Sequence, residues 1–376
     1  MTAGAAAAAS APAAGAPDPG PEGVALFQEL AGVVAVLGGH RGLRSFRLPY
    51  PPEAQQALDR TVLHCLAMGA PPPRSLPELL EWCRQRSAAD PLFRVPASLV
   101  TPDATLVHEV GLMPTRSCLE LDSHGPSGGV EREAAELMAG LEAHGGGRFR
   151  QIRAFLVRHP TVHGHDRFGG GWNRAVWALV KDLYHPLPEA LVAGGTLLRC
   201  GTCRLPALLR GRAVPEQGPP FSGPDTWCEG ETCPHRVRME LVRDPCQVLL
   251  LRRSLRQYLV LPGRTEAAAL AALDRAGIGY EPLPGLLGAY RCTGQSAHRD
   301  RVIQVYDRRQ PALLADRLAR TAAASGVTLV VVPEAAADAG FRDAFTRALT
   351  DGLRERVRLT TPSELGRHVK GVDDDA

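Results

Sequence analysis

Four cysteines near the middle of the chain have the type and spacing to hold a metal ion. Cys200 and Cys203 enclose two residues, Cys228 and Cys233 enclose four, and a longer spacer separates the pairs. Each short pair closes a tight turn over a cation, and the spacer lets two such turns face each other around a tetrahedral centre. Gly201 can supply the left-handed backbone angle of a knuckle turn. The gap of four in the second pair is at the edge of the usual range, so His235 is a substitute ligand if that knuckle is distorted. Four protein ligands leave no open position for water, so the expected site is a structural Zn2+ on Cys200, Cys203, Cys228 and Cys233. The bland alternative, buried free thiols or a disulfide, accounts less well for the paired spacing.

Other polar clusters carry weaker signals. Arg236, Arg238, Arg252, Arg253 and Arg256 follow the cysteine segment and make a candidate electrostatic footprint for nucleic acid, with a solvated charged face as the alternative. His163-Gly164-His165-Asp166 has the residue types for metal binding or proton transfer, but no distant partner motif accompanies it, and a solvated loop is the simpler reading. The glycine-rich segment from Gly125 to Gly129 lacks the Lys and Ser/Thr of a phosphate-binding loop and reads as a connector.

Composition bounds the rest. The 376 residues carry a formal charge of +3, and Lys181 and Lys370 are the only lysines, so nearly every positive charge is an arginine. Planar guanidinium forks suit phosphates and base edges, although a GC-rich genome produces the same bias. Nine cysteines, five of them scattered, do not form a secreted disulfide framework, and the start of the chain lacks a secretory signal. A cytoplasmic protein is expected. No uninterrupted apolar run of about eighteen residues occurs, so no membrane partner is expected.

The elements that must position these residues fall into a series. Residues 1–21, rich in Ala, Pro and Gly, read as a disordered tail, and 22–192 as a mainly helical region. Within it Leu58, Val62, Leu63, Leu66 and Met68 recur near helical spacing, and Ser75 with Glu78 forms a capping box before Leu76, Leu79, Leu80 and Cys83. Helices are also expected near 130–141 and 150–158, with Trp172, Trp177, Leu179 and Leu183 as core contacts rather than a base-stacking platform. Residues 193–246 form the zinc-ribbon module and 247–370 an α/β domain, and 371–376 an acidic tail. In the α/β domain Tyr258–Leu261 is strand-like, Thr265 is the N-cap of a helix to Ala276, and Gly277 closes it. Strands near 280–283, 286–292 and 301–307, a helix from Pro311, a buried strand at 327–332, a helix near 337–349, a strand at 357–360 and a helix from Pro362 follow.

That order, α-β-β-β-α-β, is the core of the PD-(D/E)xK nuclease fold, and the chain resembles the restriction-endonuclease-like (REase) proteins associated with prokaryotic PIWI-RE (pPIWI-RE) systems. The resemblance is carried by Leu48-Pro-Tyr-Pro-Pro-Glu-Ala54, Leu76-Pro-Glu-Leu-Leu-Glu-Trp-Cys83, Arg153-Ala-Phe-Leu-Val-Arg-His-Pro160, Leu198-Arg-Cys-Gly-Thr-Cys203, Leu261-Pro-Gly263 and Val302-Ile-Gln-Val-Tyr-Asp-Arg308. It implies an α+β multidomain protein with a helical N-terminal region, a small zinc ribbon and a C-terminal restriction-endonuclease-like domain. It also implies a three-gene antiviral defence island, with a PIWI-like protein and a DinG-type helicase as partners and DNA or an RNA–DNA hybrid as target.

Active members of such a fold hold Mg2+ with an acid on the second core strand and an acid-x-Lys on the third. Here Gln304-Val305-Tyr306 stands at the third-strand positions, and Leu286–Cys292 offers no acid. Glu281, Asp300 and Asp307 are the candidates for a relocated carboxylate set. The expected function is therefore an accessory, zinc-containing, nucleic-acid-binding subunit with weakened catalysis. The alternatives are an active Mg2+-dependent endonuclease with relocated carboxylates and a zinc-ribbon scaffold that binds only proteins.

Overall fold

The computed structural model describes residues 20–40, 48–124, 128–168, 172–212, 214, 220–221, 225–231, 233, 237–283, 286–293, 301–321 and 326–370. Residues 1–19 of the expected N-terminal tail, the acidic tail, positions 125–127 of the connector, His235, Arg236 and Asp300 lie outside them.

The first helices build one core. Leu26, Phe27, Leu30 and Val34 of α1 (Gly20–His40) are buried against α2 (Pro52–Ala67), α3 (Leu76–Gln85) and Phe93. Among the described residues α1 alone is long and apolar enough to cross a membrane by length and composition, and here those residues line a protein core. Gln28 and Glu29 interrupt its apolar run, which is why a search for an uninterrupted one passes over it. The apolar face expected on α2 is corrected: Leu63 and Leu66 are exposed, and the buried stripe is Ala54, Ala57, Leu58, Thr61 and Cys65. Smaller side chains at helical spacing let α2 lie close to its neighbours, and the Thr61 hydroxyl donates to the Ala57 carbonyl at 2.7 Å. The expected capping box before α3 forms by half: Ser75 Oγ accepts from the Glu78 N–H at 3.3 Å, but the Glu78 carboxylate reaches past Ser75 to accept from the Arg74 N–H at 2.8 Å.

Next come α4 (Arg116–His124), packed on α1, then α5 (Gly129–Gly145), α6 (Phe149–Arg158) and α7 (Arg174–Val180), with strands β1 (Thr161–Val162) and β2 (Tyr184–Pro186). A five-stranded antiparallel sheet follows in the order β5-β7-β3-β4-β6, built from β3 (Leu197–Cys200), β4 (Pro206–Leu209), β5 (Pro220–Phe221), β6 (Thr226–Cys228) and β7 (Val237–Val242). Every residue of β4 is buried, so both sheet faces are covered there. A short strand β8 (Leu249–Leu251) then lies between β1 and β2.

Two expectations fail at the entry to the C-terminal domain. Tyr258–Leu261 is helical, within a run of α8 (Arg253–Leu255), a π turn (Arg256–Val260) and α9 (Leu261–Ala276), and Thr265 sits inside α9 instead of capping it. Leu255, Leu259, Val260 and Leu261 are all buried, and a short apolar run of that kind has no period that separates strand from buried helix. The wide π turn precedes Pro262, whose ring cannot donate to the helical ladder. Gly277 does end the helix, at φ 69°.

Beyond it the expected order appears: β9 (Gly279–Pro282), β10 (Ala289–Thr293), β11 (Arg301–Val305), α10 (Pro311–Thr321), β12 (Val327–Val331), α11 (Ala339–Ala348), α12 (Asp351–Arg354), β13 (Val357–Thr360) and α13 (Pro362–Lys370). The sheet order is β13-β12-β11-β10-β9, antiparallel from β9 to β11 and parallel from β11 to β13. Leu329 and Val331 face α9 and α13, while Val330 and Val332 face α10 and α11. Burial on both faces is the reason 327–332 reads as a continuous apolar run.

Candidate metal centre and the joint around it

The cysteine pairs meet at one end of the five-stranded antiparallel sheet. Cys200 ends β3 and Cys228 ends β6, two strands held in register by β4 between them. The first knuckle closes through the Leu205 carbonyl accepting from the Cys200 N–H at 2.9 Å and the Cys200 carbonyl accepting from the Arg204 N–H at 2.8 Å. Its left-handed residue is Arg204, at φ 60°, and not Gly201 as expected. In the second knuckle Glu231 takes that role at φ 50°. Gly230 is pressed into the cluster: a Cβ there would stand 3.2 Å from Cys233 Sγ and 3.4 Å from Cys203 Sγ.

The four Sγ atoms lie within 4.8 Å of one another, two cysteines buried and two partly so. Hydrogen bonds from Cys203, Cys228 and Cys233 hold the Cys200 thiol well below the usual range. An all-sulfur set of four, drawn from two knuckles, can hold a metal ion and is compatible with zinc. Among the described residues no other cluster of His, Cys, Asp or Glu has metal-ligand proximity.

The knuckle loop 229–231 is also the centre of a buried ionic joint for which no local pattern exists. Arg116, at the start of α4 and 3% exposed, donates to the Gly230 carbonyl at 3.0 Å and to Asp307 Oδ1 at 2.7 Å, and also to the Asp307 backbone carbonyl. Its backbone N–H donates to Glu231 at 3.2 Å. Burial pushes the Glu231 carboxyl up to about 6 against the opposing charge of Arg116. One turn along α4, Glu120 accepts from the N–H groups of Arg309 and Gln310 at 2.7 and 2.9 Å. On the other side of the loop, buried Glu229 takes Arg256 in bonds of 2.7 to 3.0 Å.

These contacts correct several assignments. Arg256 is an interior ion-pair partner, not part of a nucleic-acid footprint. Arg253 is half-buried, donates to the Ala35 carbonyl at 3.2 Å, and is pushed down to about 10 by desolvation. Arg252 pairs with Glu133 at 3.1 Å, and among the described members of that set Arg238 alone is exposed on a strand. Asp307 is committed to Arg116, and Glu281 is exposed on edge strand β9 opposite Arg291, so the two do not converge as relocated metal ligands. Gln304 is buried, and its Oε1 accepts from the Tyr306 hydroxyl at 3.0 Å. The 163–166 loop is a local turn, in which Asp166 accepts from the His163 N–H at 2.8 Å and the rings of His163 and His165 stack.

A cavity of about 960 Å³ adjoins the joint, lined among others by Arg84, His108, Trp227, Cys228, Arg309 and Phe341. His108 Nδ1 accepts from the N–H groups of Val110 and Gly111 at 3.1 and 3.2 Å, which fixes a neutral ring, and burial pushes its pKa down to about 4. Above pH 6.5 folded and unfolded chains both carry it neutral. As pH falls from 6.5 towards 4 the unfolded chain binds a proton that the folded chain refuses, so stability is lost in that window. Urea unfolding should show a loss of about 2 kcal/mol from this ring between pH 7 and 5. His108→Gln should remove that part of the slope, and an unchanged slope would show that the ring is solvated.

Two family models match the chain. Residues 26–163 match the one described as pPIWI_RE three-gene island domain Y, and residues 263–375 the one described as REase associating with pPIWI_RE. No curated protein and no solved structure matches it. The first match ends next to β1, the second begins in α9, and the cysteine sheet lies between them.

Proposed function

Since the chain is a restriction-endonuclease-like protein of pPIWI-RE islands, we propose that it serves its island as a zinc-containing, catalytically weakened subunit that binds DNA or an RNA–DNA hybrid alongside other proteins of the system. The observation that carries this reading is the Tyr306–Gln304 hydrogen bond. In a PD-(D/E)xK site those positions hold a carboxylate and an ammonium, which bind Mg2+ and prepare water at the scissile phosphate. Here a phenol donates to an amide oxygen, and the pair satisfies itself without presenting an anion. The neighbouring acid, Asp307, is neutralised by Arg116, and its role is to hold the end of β11 to α4. A zinc ion on Cys200, Cys203, Cys228 and Cys233 would tie the two knuckles together and add no reactive position.

Purified full-length protein incubated with duplex DNA or an RNA–DNA hybrid and Mg2+ or Mn2+ should leave both uncut, while binding them with an affinity that falls steeply with salt. Metal-dependent cleavage abolished by Glu281→Ala or Asp300→Ala would overturn the weakened-site reading. Salt-independent affinity would overturn the phosphate-contact reading.

A further inference from the structure

Residues 148–181 contain seven arginines and lysines against a single acid, Asp166. Asp166 is engaged by the His163 N–H, and Arg153 by the buried Glu266. Arg150, Arg158, Arg167, Arg174 and Lys181 are exposed and have no ion-pair partner among the described residues. Arg150, Ala154 and Arg158 recur every turn along the exposed side of α6, while Ile152, Phe155 and Leu156 are buried. Arg174, Trp177 and Lys181 recur in the same way along α7 and the turn after it.

The two helices pack on each other, and a chain of aromatic rings joins them. His159 to Phe155 is 4.6 Å between centroids, Phe155 to Trp172 5.1 Å, Trp172 to Trp177 5.1 Å and Trp177 to Tyr184 5.2 Å. Phe155 and Tyr184 are buried, but His159 is partly exposed, as are Trp172 and Trp177, which pack on the core as expected yet are not enclosed by it, and the Arg167 guanidinium lies 5.2 Å over the Trp177 ring. Burial, and then the charges of Arg158 and Arg204, hold His159 below its usual range, so its ring is neutral at pH 7. Rings serving only as core would be covered, and cations serving only solubility would be interspersed with acids.

We propose that this face binds single-stranded nucleic acid, with bases stacking on Trp172 and Trp177 and phosphates held by Arg150, Arg158, Arg174 and Lys181. The proposal rests on the nucleic-acid-binding reading above and specifies the surface and the strand type. A duplex keeps its base faces stacked internally, so the aromatic ladder has a use only for an unpaired strand. An acidic polypeptide could satisfy the cations but would leave the ring faces without a matching group.

The test is fluorescence anisotropy of a short labelled oligo-dT against the full chain over a salt series, with duplex DNA, RNA–DNA hybrid and polyglutamate as comparison ligands. The variant carrying Arg158→Ala, Arg174→Ala and Lys181→Ala, all exposed and unpaired positions, should keep the parent melting temperature. Its log–log salt slope should fall by about two units, at about 0.7 per phosphate contact on a single strand. Trp172→Leu should weaken binding by about tenfold and leave the slope unchanged. A triple variant that binds oligo-dT with the parent slope overturns this surface while the broader nucleic-acid reading stands. Binding of duplex as tight as that of oligo-dT, or equal binding of polyglutamate, overturns the single-strand assignment. A parent chain that binds neither oligo-dT, duplex nor hybrid overturns both readings.

Discussion

Replacing Arg116 by methionine should destabilise the folded chain by about 3–5 kcal/mol, the usual range when one partner of a buried ion pair is removed. Methionine keeps an unbranched apolar stem, so the change reports on the charge more than on a cavity. What remains is Asp307 with no opposing cation, a Gly230 carbonyl without its side-chain donor, and buried Glu120 and half-buried Glu231 beside them. Denaturant unfolding of Arg116→Met, Asp307→Asn and the double variant checks this, since the amide removes the stranded charge and the double variant should recover part of the loss. A single-variant loss under about 1 kcal/mol would mean that water enters the joint and the charges are solvated there.

The second large effect is expected at the metal. Purified protein should carry about one zinc per chain, and Cys203→Ser should lose most of it and destabilise the fold by something of order 5 kcal/mol, because metal binding is coupled to folding. Without a cation, four sulfurs within 4.8 Å of one another crowd their lone pairs into one largely covered space. Cys246→Ser is the matched control, since that thiol is exposed and outside the cluster. Atomic spectroscopy gives the stoichiometry, and thermal melting with and without a chelator gives the coupling. Zinc-free protein that melts at the same temperature in chelator would end the assignment.

The parts legible in the sequence were those whose cause is local. Two cysteine pairs announce a four-sulfur cluster because each pair sets its own turn, and the run 327–332 announces a doubly covered strand because it is apolar on both faces apart from the small, buried Thr328. Ser75 and Glu78 cap α3 from three residues apart. The failures share a different cause. Arg253 and Arg256 look like a basic patch until Ala35 and Glu229 are brought to them, and Asp307 looks like a displaced ligand until Arg116 is. Gly201 was the natural choice for a left-handed turn by residue type, but the knuckle's hydrogen bonds place that angle at Arg204, where an ordinary side chain points outward and is exposed. Tyr258–Leu261 reads as a strand but folds as a helix, because burial of the consecutive Leu259, Val260 and Leu261 erases the period that would distinguish the two.

The joint at Arg116 also orders events during synthesis. Its carboxylate partner lies 191 residues further along the chain, which at ordinary translation rates of 5–20 residues per second is roughly 10–40 s of elongation. Until Asp307 arrives the guanidinium has only its helix neighbour Glu120 and, later, the Gly230 carbonyl as partners, and the face of α4 bearing Arg116 and Glu120 stays open on the Asp307 side, even if α1, α2 and α3 have already assembled. Leu313, which completes the same apolar core, arrives only six residues after Asp307. The helical half of the molecule is therefore born unfinished, and any nascent chain that stops before β11 exposes both a charged and an apolar docking surface to whatever protease or chaperone waits at the exit tunnel.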